Sequence, residues 1–211
     1  MTNTNNRNFT LSLDRSFHEL LMSLAKNEDT EFGGNVKLYI KNRTSGVMTM
    51  GLITKGTFNN VNFPRGIVDW HTHPIRCQNV DKCAIGFPSP GDMVNTIIGS
   101  SIGNLAHLVY SRDGVYILQV HESIRTLLVN QTNLLGSFTD KVNRQFECLF
   151  LKFKQDSLLF PDGIPTSLYK QWKREWYTVS KLTFNVTLVS YKHNKLPSFS
   201  VNRKCIVSQI T

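Results

Sequence analysis

The sequence predicts an α/β domain, and three observations predict it. Apolar patterns of helical and strand period alternate from Phe9 to Val120. Turn-forming Asn, Gly and Asp residues separate the strand-like runs. Hydrophobic residues make up 40% of 211 residues, enough to bury a core of ordinary domain size.

Residues 1–8 are polar and Asn-rich and read as a disordered tail. Phe9 to Leu13 alternates apolar and polar. Ser16 and Glu19 have capping-box spacing ahead of an amphipathic helix with Phe17, Leu20, Leu21, Leu24 and Ala25 on its apolar face, ending near Asn27 to Thr30. Three β-like runs follow, Val36 to Ile40, Val47 to Thr54 and Gly66 to His73. A loop carrying Pro74, Cys77, Cys83, Pro88 and Pro90 leads to a helix near Asp92 to Gly99. Leu105 to Tyr110 and Val115 to Val120 then form a hairpin across Ser111-Arg112-Asp113-Gly114.

The last third changes character. Phe138, Val142, Phe146, Leu149 and Phe153 recur at helical steps, Leu168, Trp172, Trp176 and Val179 mark a second helix, and Phe184, Val186 and Leu188 alternate as a strand. The chain therefore divides into the tail, a domain over residues 9–135 and an α-rich C-terminal extension over 136–211 that ends in a strand.

Chemistry concentrates in three places. His71-Thr72-His73 ends a strand-like run, and residues two apart on a strand project from one face, so both imidazoles can reach one ion. Ser89-Pro90-Gly91-Asp92 brings a carboxylate after a loop. Taken by itself that stretch is a helix cap with Pro at the first helical position, and a cap would also fix where Asp92 points. Two histidines and one carboxylate suit a zinc site with a position open to water. Glu31, next to Gly33-Gly34 where backbone can approach closely, is the third element. Alone it reads as a solvated acidic turn with Glu28 and Asp29.

In this order, Thr30-Glu31-Phe32-Gly33-Gly34, Asp69-Trp70-His71-Thr72-His73-Pro74 and Pro88-Ser89-Pro90-Gly91-Asp92 closely resemble the JAMM (MPN-plus, JAB) metalloprotease family. The resemblance covers about Leu11 to Val120. It implies a JAMM/MPN-like mixed β-sheet flanked by helices, Zn2+ held by His71, His73 and Asp92, and catalytic roles for Glu31 and Ser89. It further implies a deubiquitinase-like zinc metalloprotease, an isopeptidase that removes ubiquitin or a ubiquitin-like modifier from a protein. A peptidase acting on an ordinary peptide bond is the alternative within the family. One departure stands out: the stretch from Pro74 to Pro88 is longer than the family's usual spacing, and it carries Arg76, Cys77, Lys82 and Cys83 beside the expected metal.

The formal net charge is +9. Basic residues from Lys170 to Lys204 interleave with Trp172, Trp176, Tyr177 and Tyr191, a mixture that either covers a buried aromatic face or binds nucleic acid. A scaffolding protein in a large assembly, attached to nucleic acid through this surface, is thus the competing reading from another class. The start lacks the apolar stretch of a signal peptide, and no apolar run approaches the ~20 residues of a membrane span. An intracellular, soluble protein, cytoplasmic or nuclear, is expected. Its four cysteines do not suggest a disulfide framework.

Overall fold

The computed structural model describes residues 8–57, 60–74, 86–160, 164–193 and 195–210. Arg76, Cys77, Lys82 and Cys83, and with them most of the enlarged loop, lie outside the described residues. The alternating Phe9 to Leu13 segment forms strand β1 (Asn8–Leu13), with Phe9, Leu11 and Leu13 buried. Helix α1 (Arg15–Asn27) follows. Its N-cap is Asp14 rather than Ser16: the Asp14 carboxylate accepts from the Phe17 amide at 3.1 Å, and the Ser16 hydroxyl donates to that same carboxylate. An ionised acceptor makes the stronger bond to a free helix amide, so the serine becomes a supporting donor. Leu20, expected in the core, is 38% exposed, and His18 is buried on the same helix. The Tyr110 hydroxyl, 2.8 Å from His18 Nδ1, gives the imidazole a polar partner there.

Strands β2 (Phe32–Asn42) and β3 (Ser45–Lys55) are longer than their apolar runs, because antiparallel pairing extends through the polar ends. Gly34 requires its lack of a side chain: a Cβ there would stand 1.9 Å from the Leu52 carbonyl oxygen. Then come β4 (Val68–Thr72), α2 (Pro90–Ser101), β5 (Ala106–Ser111) and β6 (Gly114–Val120), in the order expected. Segment 136–211 supplies most of α4 (Leu135–Ser157), all of α5 (Thr166–Ser180) and β7 (Phe184–Val189). Three further elements lack a strong sequence signal: α3 (Glu122–Asn130), β8 (Ser198–Asn202) and α6 (Arg203–Ile210). Only Leu128 is buried in α3, and β8 alternates over just five residues, with Phe199 and Val201 buried and its backbone paired to β1.

The described residues form one eight-stranded sheet in the order β7-β6-β5-β4-β2-β3-β1-β8. It is mixed, with β1–β3 and β4–β5 parallel and the remaining pairs antiparallel. The sheet curls: Gln119 of β6 donates to the Ser200 carbonyl of β8 at 3.2 Å, although six positions separate those strands in the order. Helices cover both faces, so the central strands β4 and β5 are buried along their whole length. One face buries Leu11, Phe17, Leu21, Trp70, Leu108 and Ile117 beside α1. The other buries Phe87, Ile97, Val109, Tyr116, Phe146 and Trp176 among α2, α4 and α5. Trp172 and Trp176 of α5 are both in this second core, so neither ring is offered to solvent as a stacking surface. Lys173 pairs with Asp113 at 2.9 Å, which neutralises one charge of the basic stretch, and Lys152 of α4 pairs with Glu175 of α5 at 2.6 Å.

Candidate metal centre

Strand period decides what β4 offers. Val68 and Trp70 enter the core on the α1 side, so Asp69 and His71 point to the α2 side, and His73 follows beyond the strand end. β4 pairs with β5 in parallel register, Asp69 opposite His107 and His71 opposite Val109, which sets His107 on the same face as His71. His71, His73 and His107 are all buried.

Helix α2 brings in the carboxylate. Ser89 caps it: the Ser89 amide donates to Asp92 Oδ2 at 2.6 Å and the Asp92 amide donates to Ser89 Oγ at 3.2 Å, with Pro90 in the first turn. The cap leaves both Asp92 oxygens facing the histidines. Nε2 of His71 lies 3.1 Å from Oδ1, Nε2 of His73 lies 3.1 Å from Oδ2, and the two Nε2 atoms are 2.9 Å apart. Arg65 fixes the helix against β4, reaching the Asn95 carbonyl at 3.1 Å, the Asn95 side chain at 3.0 Å and Asp69 at 3.4 Å. From the other side, the Trp176 indole donates to the Pro88 carbonyl at 3.2 Å, and Phe87 stacks between α5 residues Tyr169 and Trp176.

Glu31 stands at the head of β2, its backbone paired to Thr57 and Gly56 at 2.7 and 2.8 Å. The Phe32 amide donates to the Thr72 hydroxyl at 3.0 Å, tying this corner to β4 between the two histidines. All five residues expected from the sequence are therefore brought to one corner of the sheet. His107 was not among them. Its sequence signal, one histidine inside the apolar stretch Leu105 to Tyr110, is what an ordinary core histidine also gives.

The electrostatics link these groups. Burial raises the Glu31 carboxyl, partly offset by the His71 and His73 rings. Burial also opposes charge on Asp92, but the same two rings hold its carboxyl well below the usual range. His73 is raised because Asp92 and Glu31 outweigh its burial, and His107 is held well below the usual histidine range by burial and then by His71.

A buried set of His71, Asp92 and His107, with ligand atoms within 4.8 Å of one another, could hold a metal ion. One imidazole gives an ion one nitrogen, and His71 has distinct neighbours at its two: Asp92 and His73 at Nε2, and His107 at Nδ1. Nε2 has the richer donor set, two nitrogens and a carboxylate, spaced as ligands converging on one small ion are spaced. His73 Nδ1 is buried without a partner among the described residues, so Nε2 is the nitrogen of that ring engaged here.

The chain is similar to two viral proteins of undescribed role. It is 26% identical over 133 residues to uncharacterized protein 229L of Invertebrate iridescent virus 3, an alignment covering 54% of this chain and 22% of that protein. It is 27% identical over 118 residues to uncharacterized protein 3R of Frog virus 3, covering 52% of this chain and 26% of that protein. The match thus spans about a quarter of each relative's length. No protein-family model matches the chain, and no solved structure matches it.

Proposed function

We propose that the chain is a JAMM-type zinc isopeptidase or peptidase, and that its substrate is a protein carrying ubiquitin or a ubiquitin-like modifier. The observation that carries this reading is the meeting of Glu31, His71, His73, Ser89 and Asp92 at one corner, in the sequence order on which the resemblance to that family rests. Nε2 of His71, Nε2 of His73 and the Asp92 carboxylate would hold Zn2+. The chemistry zinc supplies when bound is activation of water near neutral pH and polarisation of a carbonyl.

The chain's own groups suit the remaining work. Glu31 has a carboxyl raised by burial, which brings it closer to the neutral range in which a group can both take a proton and give it back. It would take the proton from water and deliver it to the departing amine nitrogen. Ser89 Oγ already accepts from the Asp92 amide, so its hydroxyl hydrogen can donate to the oxyanion. A single such donor is worth about 2.7 to 4 kcal/mol. Asp92 is kept ionised by the two histidines and orients both.

Metal analysis of the purified protein should find close to one zinc per chain. Cleavage of lysine-linked ubiquitin chains should be lost by about 100-fold or more in Glu31→Gln, with its zinc retained. Cleavage of linear but not lysine-linked substrates would redirect the reading to an ordinary peptidase. A protein that takes up no zinc, is inert on every linkage and binds DNA with a steep salt dependence would replace the enzyme with a nucleic-acid scaffold.

A further inference from the structure

His107 takes no part in the roles just assigned, yet its Nε2 stands 2.8 Å from Nδ1 of His71 with both rings buried. The ring centroids are 4.9 Å apart and the planes are tilted by 26°. A 2.8 Å approach of two ring nitrogens at a 4.9 Å centroid separation is the geometry of an N–H···N hydrogen bond between the rings. Phe63 also packs beside His107, its ring nearly parallel to the imidazole at 8° and 6.2 Å. Gly33 leaves room for that ring, since a Cβ there would come within 2.3 Å of it.

Building on the zinc reading above, we infer that His107 is a positioning residue, whose Nε2 accepts the Nδ1 proton of His71 and so presents the His71 Nε2 lone pair to the metal. A neutral imidazole has one N–H and one lone pair. If Nε2 of His71 is to be a ligand, its proton must sit on Nδ1, and in a buried site that proton needs an acceptor. His107 Nε2 is in place to be that acceptor. His107 must then carry its own proton on Nδ1, and that atom is buried without a partner among the described residues. A buried donor left unpaired is unfavourable, and an apolar residue at this position of β5 would avoid it.

Two variants and one spectrum test this. His107→Leu removes the acceptor, and His107→Gln offers an amide oxygen near the position of Nε2. Competition against a chromophoric chelator should show zinc bound about 10 to 100 times more weakly by His107→Leu, with most of the loss restored in His107→Gln. The Co2+ absorption spectrum should keep its intensity in both, since no ligand is lost. Long-range 1H–15N spectra of the zinc-loaded wild-type protein should show His71 protonated at Nδ1, a readout independent of whether a variant folds. Wild-type affinity in His107→Leu overturns the inference and leaves the zinc reading standing, whereas His71 protonated at Nε2 overturns the inference together with the assignment of that nitrogen as a ligand. A changed cobalt spectrum makes His107 a ligand and also overturns it. Failure of the wild-type protein to bind zinc overturns both.

Discussion

Asp69 shows at the scale of one residue how this corner is held together. Its carboxylate is 1% exposed, accepts from the Gly66 amide at 2.7 Å and meets Arg65 at 3.4 Å. Burial outweighs both partners and pushes its pKa up to about 6 from 3.8. Below pH 3.8 both folded and unfolded chains hold the proton, and this group's contribution to stability is fully present. As pH rises from about 4 through 6 the unfolded chain releases the proton before the native one does, so stability falls, by on the order of 3 kcal/mol in all. Asp69→Asn should flatten urea-unfolding stability across pH 4 to 7 in chelator-treated protein. Parallel profiles for the two proteins would show that Asp69 does not titrate in this way. Residues of this kind were only partly legible. Glu31, His71, His73, Ser89 and Asp92 stood out because several unlike residues occur in a set order. His107 did not, because its meaning depends on register with a strand more than thirty residues away.

Among the elements, α2 and α5 carry the site. The capping box at the start of α2 is both a helix signal and the device that aims Asp92, so the two readings of Ser89 to Asp92 were one fact. The α5 contribution was hidden, since helical periodicity shows that Trp172 and Trp176 face inward without showing what they touch. They do different work. The Trp176 indole holds the Pro88 carbonyl next to Ser89, whereas the Trp172 indole bonds Asp156 at 3.0 Å on neighbouring α4. Trp176→Phe should lower stability by about 1–3 kcal/mol through the unpaired buried carbonyl, and it should also speed zinc loss to a chelator several-fold. Trp172→Phe should lower stability with zinc retention unchanged. Equal release rates in the two variants would mean that α5 does not steady the metal ligands. α1 gives the converse lesson: its periodicity located the helix, but Asp14 replaced Ser16 as cap because a carboxylate two residues earlier accepts from the Phe17 amide and from the Ser16 hydroxyl itself.

For the whole molecule, the largest difference from the sequence reading concerns the C-terminal third. Residues 136–211 supply both outer strands of the sheet and much of the second core, including Phe146, Phe153, Trp172 and Trp176. Sequence periodicity could identify β7 as a strand but not its partner, because pairing between distant segments leaves no local trace. A chain cut after residue 135 should therefore not yield a stable folded fragment. It would expose the free edges of β6 and β1 together with the apolar face that α4 and α5 cover. Soluble expression of that fragment with a cooperative thermal transition would show the opposite. Among the described residues no helix is long and apolar enough to cross a membrane.

The pairing of β1 with β8 has one more consequence. Asn8 stands directly across from Asn202, so the polypeptide enters the sheet and returns to its edge at neighbouring points. A sheet whose first and last strands start and stop side by side is portable: with α6 as part of the onward path, a host protein can carry it in a surface loop without prising that loop apart. A flexible bridge that also spans the length of α6 can join Ile210 back to Asn8, and the ring can be reopened between Arg43 and Thr44 at the β2–β3 turn. That rearranged chain should fold to the same sheet and unfold in one cooperative thermal transition as the original chain does.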